Sequence, residues 1–117
     1  MKKYNIQNYI RYKEDVRQAV ARLEGKMWDE YTREELMIKF LPLVENIARK
    51  FATSQQASGV MSIMDMIQSG SLGLVHAVRK LDYNKLKESE DMEKTLKSFF
   101  SKRIKGSIRR QIDSNRG

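Results

Sequence analysis

Residues 96–117, LKSFFSKRIKGSIRRQIDSNRG, are the stretch on which the reading of this chain turns. Leu96, Phe100, Ile104, Ile108 and Ile112 recur at every fourth position, which on a helix draws one slowly winding apolar stripe. Such a stripe needs a core to dock on. Turned away from it are Lys102, Lys105 and Arg109, with Ser98 and Gly106 the small side chains among them. The segment carries seven Lys or Arg against a single acid, so it holds six of the chain's eight net positive charges, and residues 1–95 are nearly balanced. Charge confined in this way predicts a phosphate-bearing partner. A merely solvated helix is also charged, but it interleaves Glu with Lys four residues apart, and this one does not. Acidic protein and membrane surfaces offer the same complementarity and stay open at this point.

The 117 residues suffice for one domain with an ordinary core, unaided by metal or disulfide. The absence of Cys excludes a disulfide framework and Cys-based zinc sites, and suits a reducing compartment. No apolar run approaches membrane-spanning length, and the opening MKKYNIQNYIRYK lacks the apolar centre of a signal peptide. No membrane partner is expected, and the chain is expected to stay where it is made. One Pro, six Gly and few β-branched alternations predict an all-α chain. The expected architecture is a compact bundle of about four to five helices ending in a long basic one.

In chain order, the first helix is predicted from about Asn8 to Glu24, with Ile10, Val16, Val20 and Leu23 apolar and Gly25 ending it. Trp28 reads as an anchor for the connection that follows, since no basic cluster surrounds it. Thr32 with Glu35 is a capping box that opens a second helix, whose apolar face runs through Leu36, Phe40, Leu43, Val44, Ile47, Ala48 and Phe51. Pro42 lies inside it, so either that helix kinks or a new one begins with Pro in its first turn. TSQQASG, residues 53–59, is a polar linker. Ser62 with Asp65 forms another capping pair and predicts a short helix through Ser69, ended by a left-handed turn at Gly70. Ser71 then caps a helix from Leu72 to Leu81.

That outline invites a helix-turn-helix reading, with residues 72–81 in a major groove. The residues oppose it. Leu72, Leu74, Val75, Ala77, Val78 and Leu81 leave only His76, Arg79 and Lys80 polar, so this helix is expected mainly in the core.

Several motifs here resemble region two of bacterial sigma factors. They are Leu41-Pro42-Leu43-Val44, Ile47-Ala48-Arg49-Lys50, the run from Met64 to Leu74 (MDMIQSGSLGL), Ala77-Val78-Arg79-Lys80-Leu81-Asp82-Tyr83, and the run from Phe99 to Arg110. The pattern is most similar to the flagellar and sporulation classes, and covers roughly residues 36–117. The resemblance implies a transcription initiation factor that binds bacterial core RNA polymerase and recognises and opens the minus-ten promoter element. It implies docking on the largest-subunit coiled coil through Met64, Asp65, Gln68, Ser69, Ser71 and Val75. Asp65 and Gln68 match the family pattern directly, whereas Ser69 and Ser71 stand where an acid and an Asn are usual. Promoter DNA contacts are implied for Phe99, Lys102, Arg103, Lys105, Gly106, Arg109 and Arg110. Lys102 and Arg103 occupy the places of the paired tryptophans of primary sigma factors, so opening would rely less on a stacked wedge.

The reading divides the chain into an amino-terminal helix and connection (1–31), a polymerase-binding core (32–83), an acidic loop (84–95) capped into the final helix by Asp91, and the basic helix (96–117). The chain offers no candidate for the family domains that read the minus-thirty-five element. In this it resembles the late-transcription factors of T4-like bacteriophages, which rely on co-activators; a single domain cut from a longer protein would look the same. The implied location is the bacterial cytoplasm, that of the host if phage-encoded.

No catalysis, metal or cofactor is expected. His76 is the single histidine, no Gly-rich loop cradles phosphate, and no nucleophile sits beside a base in a motif. The cluster Met61, Met64 and Met66 reads as gap-filling core. Two other function classes remain: a stand-alone basic helical protein binding DNA or RNA as a repressor or architectural factor, and an adaptor whose basic helix meets an acidic protein.

Overall fold

Where a hydroxyl or carboxylate meets orphan backbone amides, at Thr32, Ser62, Asp82 and Asp91, this chain starts four of its helices. The computed structural model describes residues 3–27, 30–53 and 61–115, which form six helices and no strand. They are α1 (Lys3–Ala21), α2 (Arg33–Lys39), α3 (Leu41–Ala52), α4 (Ile63–Arg79), α5 (Tyr83–Lys87) and α6 (Met92–Asn115). The long carboxyl-terminal helix expected from the periodicity is α6. No described helix is long and apolar enough to cross a membrane.

Both predicted capping boxes form. Thr32 Oγ1 accepts from the Glu35 amide at 3.1 Å while Glu35 Oε1 accepts from the Thr32 amide at 3.1 Å. Ser62 and Asp65 repeat the exchange at the start of α4, at 3.1 and 3.4 Å. Lys26 also grips Glu35, and together with the Thr32 amide holds its carboxyl below the usual range. Of the two readings at Pro42, the second holds. Phe40 (φ −102°, ψ 7°) ends α2, and α3 begins with Pro in its first turn, where no amide is needed.

The first helix starts and stops earlier than predicted. It ends at Ala21, and the chain tightens through three-residue bonds, Leu23 N to Val20 O at 3.0 Å and Lys26 N to Leu23 O at 3.1 Å. Gly25 follows at φ +83°. Ile10, one of the apolar positions of that helix, is 62% exposed. Tyr9 and Tyr12 pack against the core instead, and Tyr9 Oη donates to Glu45 Oε1 of α3 at 2.8 Å. Trp28 and residues 54–60 of the linker lie outside the described residues.

The largest correction concerns Gly70. No left-handed turn occurs there, and α4 runs unbroken through it, so Ser71 caps nothing. A Cβ on Gly70 would stand 2.9 Å from Val44 Cγ1, 3.1 Å from Ile104 Cγ2 and 3.2 Å from Ile108 Cδ1. One on Gly73 would meet Ser107 Cβ at 2.8 Å and the Arg103 carbonyl at 2.9 Å. These glycines serve close helix contact rather than a turn. Ser107 Oγ donates to the Ser69 carbonyl at 2.6 Å across the same seam. With the helix continuous, Leu72 faces outward at 61% exposure, contrary to its predicted burial.

Residues 84–95 are not simply a loop. Asp82 accepts from the amides of Asn84 and Lys85 and starts the short α5, whose Leu86 is buried. Asp91 caps α6 as expected, accepting from the Lys94 amide at 3.1 Å, so that helix begins at Met92 rather than Leu96. Along it Leu96, Phe100, Ile104, Ile108 and Ile112 are all buried, against α4 and α3. At about 1.5–3 kcal/mol each, these five side chains dominate the docking of α6. Phe100 meets Phe40 edge-on, ring centroids 5.0 Å apart. Arg33 donates to the Val78 carbonyl and ties α2 to the end of α4.

Two substitutions test the seam. Gly73→Ala forces α4 and α6 apart at a cost of about 1–3 kcal/mol, against about 1 kcal/mol of helix propensity gained, and lowers the thermal midpoint. Gly106→Ala, with nothing within 4 Å of the new methyl, keeps only the propensity gain of about 0.5–1 kcal/mol and raises it. Circular-dichroism melts of the pair report both signs. A second test uses Tyr9, whose hydroxyl is pushed up to about 12 from 10.0 by burial and then by Glu45. Its contribution is intact below the unfolded-state value and lost as pH rises towards 12, so α1 helicity falls in that window. Tyr9→Phe removes that alkaline component.

Candidate nucleic-acid interface

Because the apolar stripe of α6 is consumed by the core, its cations have nowhere to go but outward. Lys102, Arg103, Lys105, Arg109 and Arg110 are exposed, and Gly106, half-buried, keeps the middle of the helix low. Ion pairs among the described residues join Lys13 and Arg49 to Glu45, Arg17 to Glu14, and Lys26 to Glu35; none involves α6. Among the described residues no acid pairs with a cation of this face.

The cations divide between two flanks. On the α4 side, Arg103 and Arg110 line a cavity of about 270 Å³ with Gly73, His76, Ala77 and Lys80. Among the described residues no acid lines it, and Gly73 lets α6 come close enough for both arginines to reach it. On the α3 side, the Arg109 guanidinium stands 5.7 Å over the Phe51 ring. Lys102 and Lys105 are solvated.

Beside the cationic cavity lies an apolar one of about 290 Å³, between the end of α4, α5 and the start of α6. Leu81, Leu86, Leu96 and Phe99 supply its walls, with Lys80, Asp82 and Lys85 at its polar positions. Phe99 is half-buried; its ring packs 5.6 Å from Phe100 and lies under the Arg103 guanidinium at 5.4 Å. Lys80 borders both cavities, and Arg103 links Phe99 to the cationic one. A flat ring and a polyanionic backbone would thus find matching surfaces side by side.

The residues expected to meet polymerase lie along α4. Asp65 and Gln68 are exposed, and Met64, Ser69, Ser71 and Val75 are half-buried. Asp65 also spends one oxygen on the amide of Ser62. Ser69 lends its carbonyl to Ser107, and Ser71 lies against the Tyr12 hydroxyl of α1. The unobstructed line on α4 is therefore Asp65, Gln68 and Leu72, spaced three and four apart.

Three residues of these surfaces escape a reading of the sequence. Leu72 scans as core, His76 as an isolated imidazole, and Lys80 carries no distinguishing mark. The available signal is the four-residue spacing of His76 and Lys80 with no acid on that face. What it lacks is the neighbour, since only α6 makes the pair half of a cavity.

No protein-family model, curated protein or solved structure matches this chain.

If the outward cations serve a ligand rather than the fold, neutralising them leaves stability intact. Lys102→Gln/Lys105→Gln/Arg110→Gln is expected to melt within about 0.5 kcal/mol of the unaltered protein, with any change a gain that is largest at low salt as like charges are removed. Melts across a salt series provide the comparison.

Proposed function

We propose that this chain is a sigma-like transcription initiation domain, which docks on bacterial core RNA polymerase through α4 and takes the minus-ten promoter strand on α6. The observation that carries the reading is the pair of adjoining cavities, one apolar and walled by Phe99, the other lined by His76, Lys80, Arg103 and Arg110. An unpaired base stacked at Phe99 would leave its phosphates beside Lys80 and Arg103, and Lys105 and Arg109 would extend the grip along the backbone.

The magnitudes say what such a domain can do alone. Extruding a base from a duplex costs a few kcal/mol, and one aromatic stack returns about 1–3 kcal/mol. Lys102 and Arg103 stand where a stacking pair would add more. The isolated domain would capture an open strand better than create one, and opening would need polymerase and, on the phage-like reading, co-activators.

The docking line Asp65, Gln68 and Leu72 offers a carboxylate, a carboxamide and an apolar anchor on one helical face. That combination suits a basic helical partner such as the polymerase coiled coil. The competing reading, a stand-alone DNA- or RNA-binding protein, draws on the same cations but leaves Leu72 exposed without purpose.

Pull-down of core polymerase followed by run-off transcription on an AT-rich promoter separates them. Gln68→Ala, which disturbs no cap, and Asp65→Ala are expected to weaken polymerase association. Lys105→Ala/Arg109→Ala spares association and lowers promoter-dependent initiation. Tight duplex binding with no polymerase association would favour the stand-alone protein, and absence of nucleic-acid affinity would favour an adaptor.

A further inference from the structure

We propose that the two adjoining cavities also bind a free nucleoside polyphosphate, with its base in the apolar pocket at Phe99 and its phosphates among His76, Lys80, Arg103 and Arg110. The proposal rests on the reading above that these cavities receive a nucleotide, and adds a small-molecule ligand to the same site. At about 290 and 270 Å³ each space alone falls just short of an ordinary ligand pocket. Such pockets begin at about 300 Å³, and the joined pair lies within their range. Lys80 lines both spaces, and Arg103, which lines the cationic one, stands 5.4 Å over the Phe99 ring of the other.

His76 and Lys80 lie one turn apart on α4, and Arg103 and Arg110 two turns apart on α6, so each pair shares a helical face. The close seam at Gly73 sets both pairs on one cavity. The dipole of α4 favours cations at its carboxyl end, which accounts for His76 and Lys80 by themselves. It does not account for Arg103 and Arg110, which lie in the interior of another helix. A backbone phosphate brings a single negative charge, whereas Lys80, Arg103 and Arg110 surround this space together with an imidazole, and no acid lines it among the described residues. A terminal phosphate alone brings about −1.5 to −2, and a di- or triphosphate concentrates more charge in the same volume. The cavity therefore matches a polyphosphate better than a diester.

The surroundings set which way the ligand lies. Asp82 borders the apolar pocket; its Oδ1 accepts from the amides of Asn84 and Lys85, and its Oδ2 takes no hydrogen bond among the described residues. That oxygen repels phosphate but can accept from a ribose hydroxyl or an exocyclic amine. Glu88, Glu90, Asp91 and Glu93, all exposed, follow around the start of α6 with no base among them. A strand threading both cavities must turn away from these acids, whereas a mononucleotide keeps all its charge in the cationic cavity.

The test is isothermal titration calorimetry of the full chain with ATP, AMP and tripolyphosphate in magnesium-free buffer. ATP is expected to bind about tenfold or more tightly than AMP, and also more tightly than tripolyphosphate. His76→Gln/Arg110→Gln, at two exposed positions, removes most of the preference for ATP over AMP, and Phe99→Leu narrows the preference for ATP over tripolyphosphate, with far-UV spectra verifying both folds. Lys94→Gln/Lys97→Gln, which takes two exposed cations from the same helix but from neither cavity, leaves both ratios unaltered. AMP binding as tightly as ATP overturns the polyphosphate, and tripolyphosphate binding as tightly as ATP overturns the seat for the base. An equal loss of ATP affinity in the Lys94/Lys97 variant shows diffuse attraction and overturns the site. If ATP does not bind while a short AT-rich single strand does, this proposal alone fails. If neither binds, the nucleic-acid reading fails with it.

Discussion

The close passage of α4 over α6 at Gly70 and Gly73 is the constraint from which the remaining features follow. With no Cβ at either position, Val44, Ile104 and Ile108 fill the space at one and Ser107 comes against the backbone at the other. The Ser107 hydroxyl then bonds the Ser69 carbonyl and fixes the register. In that register five apolar residues of α6 go inward. Their burial, roughly 1.5–3 kcal/mol apiece, far exceeds the few tenths by which neighbouring like charges repel. The cationic face is thus a consequence of apolar docking, held outward by a core that has no use for it.

What can be read in the sequence is what is local. Both capping boxes, the Asp91 cap and the stripe from Leu96 to Ile112 depend on residues within a turn or two of each other, and all are present. Gly70 misleads because a glycine looks the same whether it frees the backbone or clears room for a neighbour. Its role is set by Val44 and by Ile104 and Ile108, far along the chain. Ile10 misleads for a related reason. Its neighbours Tyr9 and Tyr12 could equally face inward and do, and the hydrogen bond that holds Tyr9 there comes from Glu45 of α3, far along the chain. The expected interface divides the same way: the cations of α6 are legible from charge alone, whereas His76, Lys80 and the apolar pocket at Phe99 become a surface only once α4, α5 and α6 meet.

This geometry gives α4 two surfaces. On its outer line Asp65, Gln68 and Leu72 are exposed, and its last turns close the cavities that α6 opens. The surfaces adjoin along one rigid helix, so a partner on the first would lie close to nucleic acid on the second.

The central claim is that the Phe99 pocket and the cationic cavity beside it receive one nucleotide of an unpaired strand. Amide chemical-shift mapping of the isotope-labelled chain, titrated with a short AT-rich single strand, tests it most directly, because weak binding suffices and each residue reports separately. The account predicts that the largest shifts fall at Lys80, Phe99, Arg103 and Arg110, with α1 unmoved. Shifts confined to α1 and α2, or none at any concentration reached, would contradict it.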